Sequence, residues 1–239
     1  MLGRYVQLLC GLAKLPLFDA TDALGRCERY CVGPTMQFTH RPLIWHGQCA
    51  ADLNYDNVIK PFQDKRVVLL FRCPLDALVS LWMQRRHRSG ENYSGNLPEF
   101  LEAPVWGLEK YFEFYSQWFQ HRDHVRDLYL LRYEDTRKDP SAVFGRLLDF
   151  LAIPRNDDAF QQAVADSDFE RMKKVELSGD APKYESSGRS IFASGDLSNV
   201  DALHVRRGKV GGYHDYLEQK DAVRFEAIVA HRLPDFFWH

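Results

Sequence analysis

Arg72, Asp76, Ser80 and Gln84 are spaced four apart in the stretch RVVLLFRCPLDALVSLWMQRR, residues 66–86. On a helix that spacing puts Asp76, Ser80 and Gln84 on one face, with Arg72 just ahead of the same stripe. A guanidinium donates in a fixed fork and a hydroxyl adds one donor, so Arg72 and Ser80 suit a phosphate-like anion. The same residues allow a plainer arrangement, in which Arg72 pairs with Asp76 across the turn. A second group lies in HVRRGKVGGY, residues 204–213, where Arg206, Arg207 and Lys209 alternate with Gly208, Gly211 and Gly212. Glycines let backbone N–H groups approach an anion closely; a solvated basic loop is the alternative. His40, in FTHRP, is a side chain able to take a proton near neutral pH, or else a satisfied structural imidazole. Cys27, Cys31, His40, His46 and Cys49 are zinc-ligand types, but their spacings match no closed site, so no metal is expected.

The surrounding elements must hold these groups. Val67 to Phe71 is apolar without alternation, the pattern of a strand covered on both faces. Pro74 suits a first helical turn, and the helix can run to about Arg88. Arg72 therefore falls at the carboxyl end of a strand, where open parallel sheets bind ligands, beside a helix N-terminus that favours anions. Leu108 to His121 is helical, with Tyr111, Phe114, Tyr115 and Trp118 on one core-facing stripe. Leu128 to Arg132 is a second strand. Asp139-Pro140 starts a helix whose core face is Val143, Leu147, Leu148 and Leu151. Short helices are expected near 158–174 and an amphipathic one over 215–232. Leu2, Val6, Leu9 and Ala13 give the chain a helical opening, 18–35 is irregular, and 178–204 is a functional or disordered loop rich in Ser, Gly and Asp. Strands alternating with helices make this an α/β chain, one domain over 1–239, with a central parallel sheet flanked by helices.

Composition narrows the function. The 239 residues are 45% hydrophobic and 27% charged with a net charge of -2, an ordinary globular mixture that argues against nucleic acid as partner. Arg85-Arg86-His87-Arg88 reads as the solvated end of its helix. No window is apolar enough to span a bilayer, Arg4 interrupts the apolar start, and no signal peptide is expected. Five cysteines argue against a disulfide framework and for a reduced, cytoplasmic setting.

Four segments in order resemble the PAPS-dependent sulfotransferases, of the cytosolic type and its bacterial relatives. They are Arg72-Cys73-Pro74-Leu75-Asp76-Ala77-Leu78-Val79-Ser80, similar to R-x-P-x-D-x-x-V-S; Tyr133 to Pro140, similar to YEDxxxDP; Asp166 to Lys174, similar to a T-S-F-K-E-M-K-K segment; and Arg206 to Tyr213, similar to R-K-G-x-x-G-D-W. Arg207 and Tyr213 stand where the last signature has Lys and Trp. The resemblance runs from about residue 1 to 232 and implies a P-loop-like fold. It implies that Arg72, Ser80, Arg206, Arg207 and Gly208 hold the 3′-phosphate of PAPS, with Tyr133, Ser167 and Phe169 around the adenine. Phe38-Thr39-His40-Arg41-Pro42 is similar to K-T-H-x-P, which makes His40 the base, with Phe38 where a lysine often lies.

In that family a strand and a Y-P-K-S-G-T-T-W loop around the 5′-phosphosulfate precede a helix resembling MLGRYVQLLCGL. The expectation is that this chain lacks the N-terminal strand, the loop and its lysine. Turnover would then be low, and an open sheet flank would favour homo-oligomers. The implied function is sulfuryl transfer from PAPS to a small-molecule or glycan hydroxyl; the alternative is an inactive fragment or pseudoenzyme that binds adenosine 3′,5′-bisphosphate or a protein partner. Residues 88–107 and 178–204 would shape the acceptor pocket, and the fold does not name the acceptor.

Overall fold

The computed structural model describes residues 1, 5, 8, 36–39, 49–63, 65–87, 93–178, 185–186, 189–190, 198–203 and 205–237. Most of the expected opening helix, the irregular stretch 18–35, His40 and most of 178–204 lie outside the described residues. In chain order the elements are β1 (Met36–Thr39), α1 (Tyr55–Val58), β2 (Arg66–Phe71), α2 (Pro74–His87), α3 (Leu97–Glu102), α4 (Leu108–Gln120) and β3 (Asp127–Arg132). They continue with α5 (Tyr133–Lys138), α6 (Pro140–Phe150), α7 (Asp157–Asp166), α8 (Phe169–Leu177), β4 (Glu185–Ser186), β5 (Arg189–Ser190) and α9 (Gln219–Arg232).

The chain divides into two compact units: a sheet unit of Met36–Glu134 with Lys209–His239, and a helical unit of Met1–Thr35 with Asp135–Gly208. In the sheet unit β1, β2 and β3 are parallel, in the order β1-β2-β3. Central β2 buries Val67, Val68, Leu69 and Phe71 completely, which is why its sequence shows no polar alternation. Its register pairs Phe71 with Arg132, so Arg72 and Tyr133 leave neighbouring strand ends side by side. On α4 the stripe of Tyr111, Phe114, Tyr115 and Trp118 is core, as its spacing predicts. Phe237, in a 3₁₀ turn at Asp235–Phe237, stacks on Phe71 and meets Tyr115 edge-on, with ring centroids 5.2 and 5.0 Å away. Short α3 escapes a periodicity search but has a full capping box: Asn96 Oδ1 accepts from Glu99 N at 2.9 Å and Glu99 Oε2 from Asn96 N at 3.2 Å.

In the helical unit Asp139 caps α6 through Ala142 N at 2.9 Å, and Val143, Phe144, Leu147 and Leu148 are buried. Phe144 stacks on Phe160 of α7 at 5.2 Å. Tyr5 packs edge-on against Phe144; its hydroxyl donates to Pro154 O at 2.6 Å and accepts from Asn156 N at 2.7 Å. The helical stretch expected near 158–174 is two helices, because the Asp168 carboxylate caps a new one by accepting from Glu170 N and Arg171 N. The helix expected from 215 begins at Gln219; residues Gly212–Asp215 form a 3₁₀ turn instead, entered through Gly211 at φ 71°. Among the described residues no helix is long and apolar enough to cross a membrane.

Candidate active site

In the sheet unit the candidate residues gather at the carboxyl end of β2. The Arg72 guanidinium lies over the Tyr133 ring, 4.4 Å from its centroid, as the strand register dictates. Arg72 Nη1 donates to Ser80 Oγ at 3.1 Å, and Ser80 Oγ in turn donates to Asp76 O one helical turn back at 3.1 Å. The fork is thus held from its face and from one end, while Arg72 Nε is buried and has no hydrogen-bond partner among the described residues. A buried charged donor left unmatched is unfavourable, so this nitrogen is a ready contact for an anion.

The plainer arrangement, an Arg72–Asp76 pair, is replaced by something else. Asp76 is 1% exposed and its carboxylate accepts from backbone: Oδ2 from Gly211 N at 2.7 Å and Oδ1 from Tyr213 N at 3.1 Å. Glu134 takes a comparable part, its Oε1 accepting from Cys73 N at 2.8 Å, ahead of the first turn of α2; its Oε2 is buried with no partner among the described residues. Burial above all, then the charges of Asp76 and Glu134, pushes the Cys73 thiol up to about 11, so it is no nucleophile at neutral pH. The Tyr213 hydroxyl donates to Glu226 Oε1 at 2.8 Å, and burial followed by that bond raises its pKa.

In the helical unit Gly208 has φ 59° and packs on Phe169, the first residue of α8. A Cβ placed there would stand 2.5 Å from the ring, so only glycine fits. Arg137 covers the same ring, 4.9 Å from its centroid. Arg206 Nη1 and Arg207 Nη2 both reach Asp201 Oδ1, at 3.3 and 3.6 Å. Glu176, 7% exposed, holds the start of this segment by accepting from Val205 N at 2.8 Å. Ser167 Oγ donates to Ala163 O at 2.8 Å, which uses its proton and leaves its lone pairs.

Each unit therefore assembles its own members of the expected set: Arg72, Ser80 and Tyr133 in one, Phe169 and Gly208 with the Arg206–Arg207 pair in the other. His40 lies outside the described residues. Asp76, Glu134 and Arg137 stand beside the expected residues without being among them; for Asp76 the available signal is an aspartate in the first turn of α2, among the apolar residues Leu75, Ala77, Leu78 and Val79. Among the described residues no group of three or more His, Cys, Asp or Glu could hold a metal.

The sulfotransferase domain family matches residues 52–237. Cytosolic sulfotransferase 16 of Arabidopsis thaliana is 24% identical over 181 residues, covering 71% of this chain and 51% of that protein. The amine sulfotransferase of Oryctolagus cuniculus is 22% identical over 175 residues, covering 72% and 55%. The chain thus spans about half the length of the curated relatives it matches. Mouse sulfotransferase SULT7A1 complexed with PAP superposes with a TM-score of 0.53 at 19% identity, over 70% of this chain and 58% of that one. Retinol dehydratase in complex with retinol and PAP gives a TM-score of 0.53 at 23% identity, over 72% and 48%. The structural likeness establishes the fold, a P-loop-like α/β arrangement around a parallel sheet.

Proposed function

Because the chain belongs to the sulfotransferase domain family, we propose that it transfers a sulfuryl group from PAPS to a small-molecule or glycan hydroxyl. One observation carries the reading. Arg72 is stacked on Tyr133 and anchored on Ser80, and at a strand's carboxyl end it keeps a buried N–H that has no acceptor among the described residues. That arrangement fits the 3′-phosphate of an adenine nucleotide, with Tyr133 toward the base. The family resemblance adds Ser167, Phe169, Arg206, Arg207 and Gly208 as donor contacts and His40 as the base. Their fit is supported in part by Gly208, whose bare backbone lies against the Phe169 ring as no larger residue could.

The donor, when bound, supplies the sulfuryl group. The chain's part is to hold the nucleotide and to accept the acceptor's proton on His40, an imidazole being the usual side chain for that role. PAP, named in both solved structures, supports an adenosine 3′,5′-bisphosphate as the binding half of the donor.

The test is an assay of labelled PAPS with a panel of alcohols, phenols and sugars, run beside calorimetry with adenosine 3′,5′-bisphosphate. Sulfated product supports the proposal. Bisphosphate binding without product favours a binding protein that does not catalyse. Neither binding nor product overturns the reading.

A further inference from the structure

Asp76 has no part in that reading, yet it is the most deeply buried carboxylate of the sheet unit's site, 1% exposed in the first turn of α2. Among the described residues it meets no cationic side chain within bonding distance; its two oxygens accept from the amides of Gly211 and Tyr213, at 2.7 and 3.1 Å. The segment so held is an unusual one. Gly211 is left-handed at φ 71°, and Gly212 packs against Asp76 Oδ1, which a Cβ would meet at 3.6 Å. Lys209 pairs with Asp215 at 2.6 Å and Tyr213 with Glu226 at 2.8 Å, but those bonds tie side chains; Asp76 ties the main chain to α2.

We propose that Asp76 is a positioning residue for donor binding. It locks Lys209–Tyr213, which continues directly from Arg206-Arg207-Gly208 in the chain, onto the helix that carries Ser80 and starts behind Arg72. The inference rests on the donor-binding reading above. Charge alone would argue against an aspartate here. Its own carbonyl accepts from Ser80 Oγ, which accepts from Arg72, so a fixed negative charge sits within one helical turn of the anion cradle. A carboxylate earns such a place through geometry, since two charge-assisted N–H bonds fix a glycine-rich segment that has little conformational preference of its own.

The two effects have opposite signs, and calorimetry separates them. Wild type, Asp76→Asn, Gly211→Ala and the double variant are titrated with adenosine 3′,5′-bisphosphate and with adenosine 5′-monophosphate. Asn keeps one acceptor for Gly211 and presents an N–H to the Tyr213 amide, so the segment is released on one side. Positioning predicts that Asp76→Asn weakens bisphosphate binding by about tenfold and the monophosphate far less. Gly211→Ala, which loosens the same segment through its left-handed φ, gives a loss of the same order, and the double variant is no weaker than the weaker single. A merely structural role lowers the folded fraction and leaves the ratio of the two affinities unmoved. Binding by Asp76→Asn that is equal to or tighter than wild type overturns the proposal. If Asp76→Asn does not fold, Gly211→Ala decides: unchanged affinity overturns the proposal. Wild type that binds no bisphosphate overturns the donor-binding reading and this one with it, whereas binding wild type with an unaffected Asp76→Asn overturns this one alone.

Discussion

Arg72 concentrates several demands in one side chain: a flat face for Tyr133, an end for Ser80 and a fork for the anion proposed above. A hydrogen bond to a charged group contributes about 1.5–3 kcal/mol, so Arg72→Ala should weaken adenosine 3′,5′-bisphosphate by roughly tenfold or more in calorimetry. Arg72→Lys should recover little of this, because an ammonium neither stacks on the ring nor reaches Ser80 and a phosphate together. Equal affinity in wild type and Arg72→Ala would remove Arg72 from the site. The neighbouring Cys73 makes a separate prediction about pH. Burial raises its thiol from an ordinary 9.0 to about 11. Between those values the unfolded chain releases the proton and the folded chain keeps it, so the unfolded state binds fewer protons and stability falls as pH rises. The contribution is intact below about pH 9 and lost through about pH 11. Denaturant melts of Cys73→Ala across that window should decline less steeply than wild type; parallel curves would contradict the burial of the thiol.

Among the elements, α8 shows how a cap places a ring. Asp168 accepts from Glu170 N and Arg171 N at 3.0 and 3.1 Å, and Phe169 is the first helical residue it sets in place. Replacing a capping aspartate by alanine costs about 1 kcal/mol, which for a chain of this size lowers Tm by about 2–4 °C. Asp168→Ala should show that drop and also a weaker bisphosphate affinity, since frayed backbone no longer holds Phe169 against Gly208. A Tm drop with unchanged affinity would leave α8 a structural helix only. In the sheet unit α2 is started in a different way. Pro74 occupies its first position, and Glu134, from beyond the neighbouring strand, accepts from the Cys73 N–H. The start of α2 is therefore tied to β3 as well as to β2, which restrains Arg72 from both sides.

At the scale of the whole molecule, Phe237 closes the sheet unit by stacking on Phe71, the residue just before Arg72. Phe237→Ala should cost about 3–5 kcal/mol through lost burial and a cavity against Phe71 and Tyr115. Denaturant unfolding checks this; a loss below 1 kcal/mol would mean the turn is not part of that core. What the sequence alone determined here is whatever local chemistry enforces. An unbroken apolar run reads as a strand covered on both faces, Pro74 suits the first turn of a helix, and between them Arg72 stands at a strand's end. Asp139 and the α4 stripe were legible for the same reason, because cap and period are written in adjacent residues. The tertiary structure decided the partners. Asp76, which the spacing allowed as a partner for Arg72, instead holds Gly211 and Tyr213; Arg72 rests on Tyr133 because the β2–β3 register sets it there; Gly208 meets Phe169, and Glu134 caps Cys73. Each of these joins residues far apart in the chain. Which donor meets which acceptor at that range is set by sheet register and by what packing excludes from water, and neither leaves a mark in the neighbouring sequence.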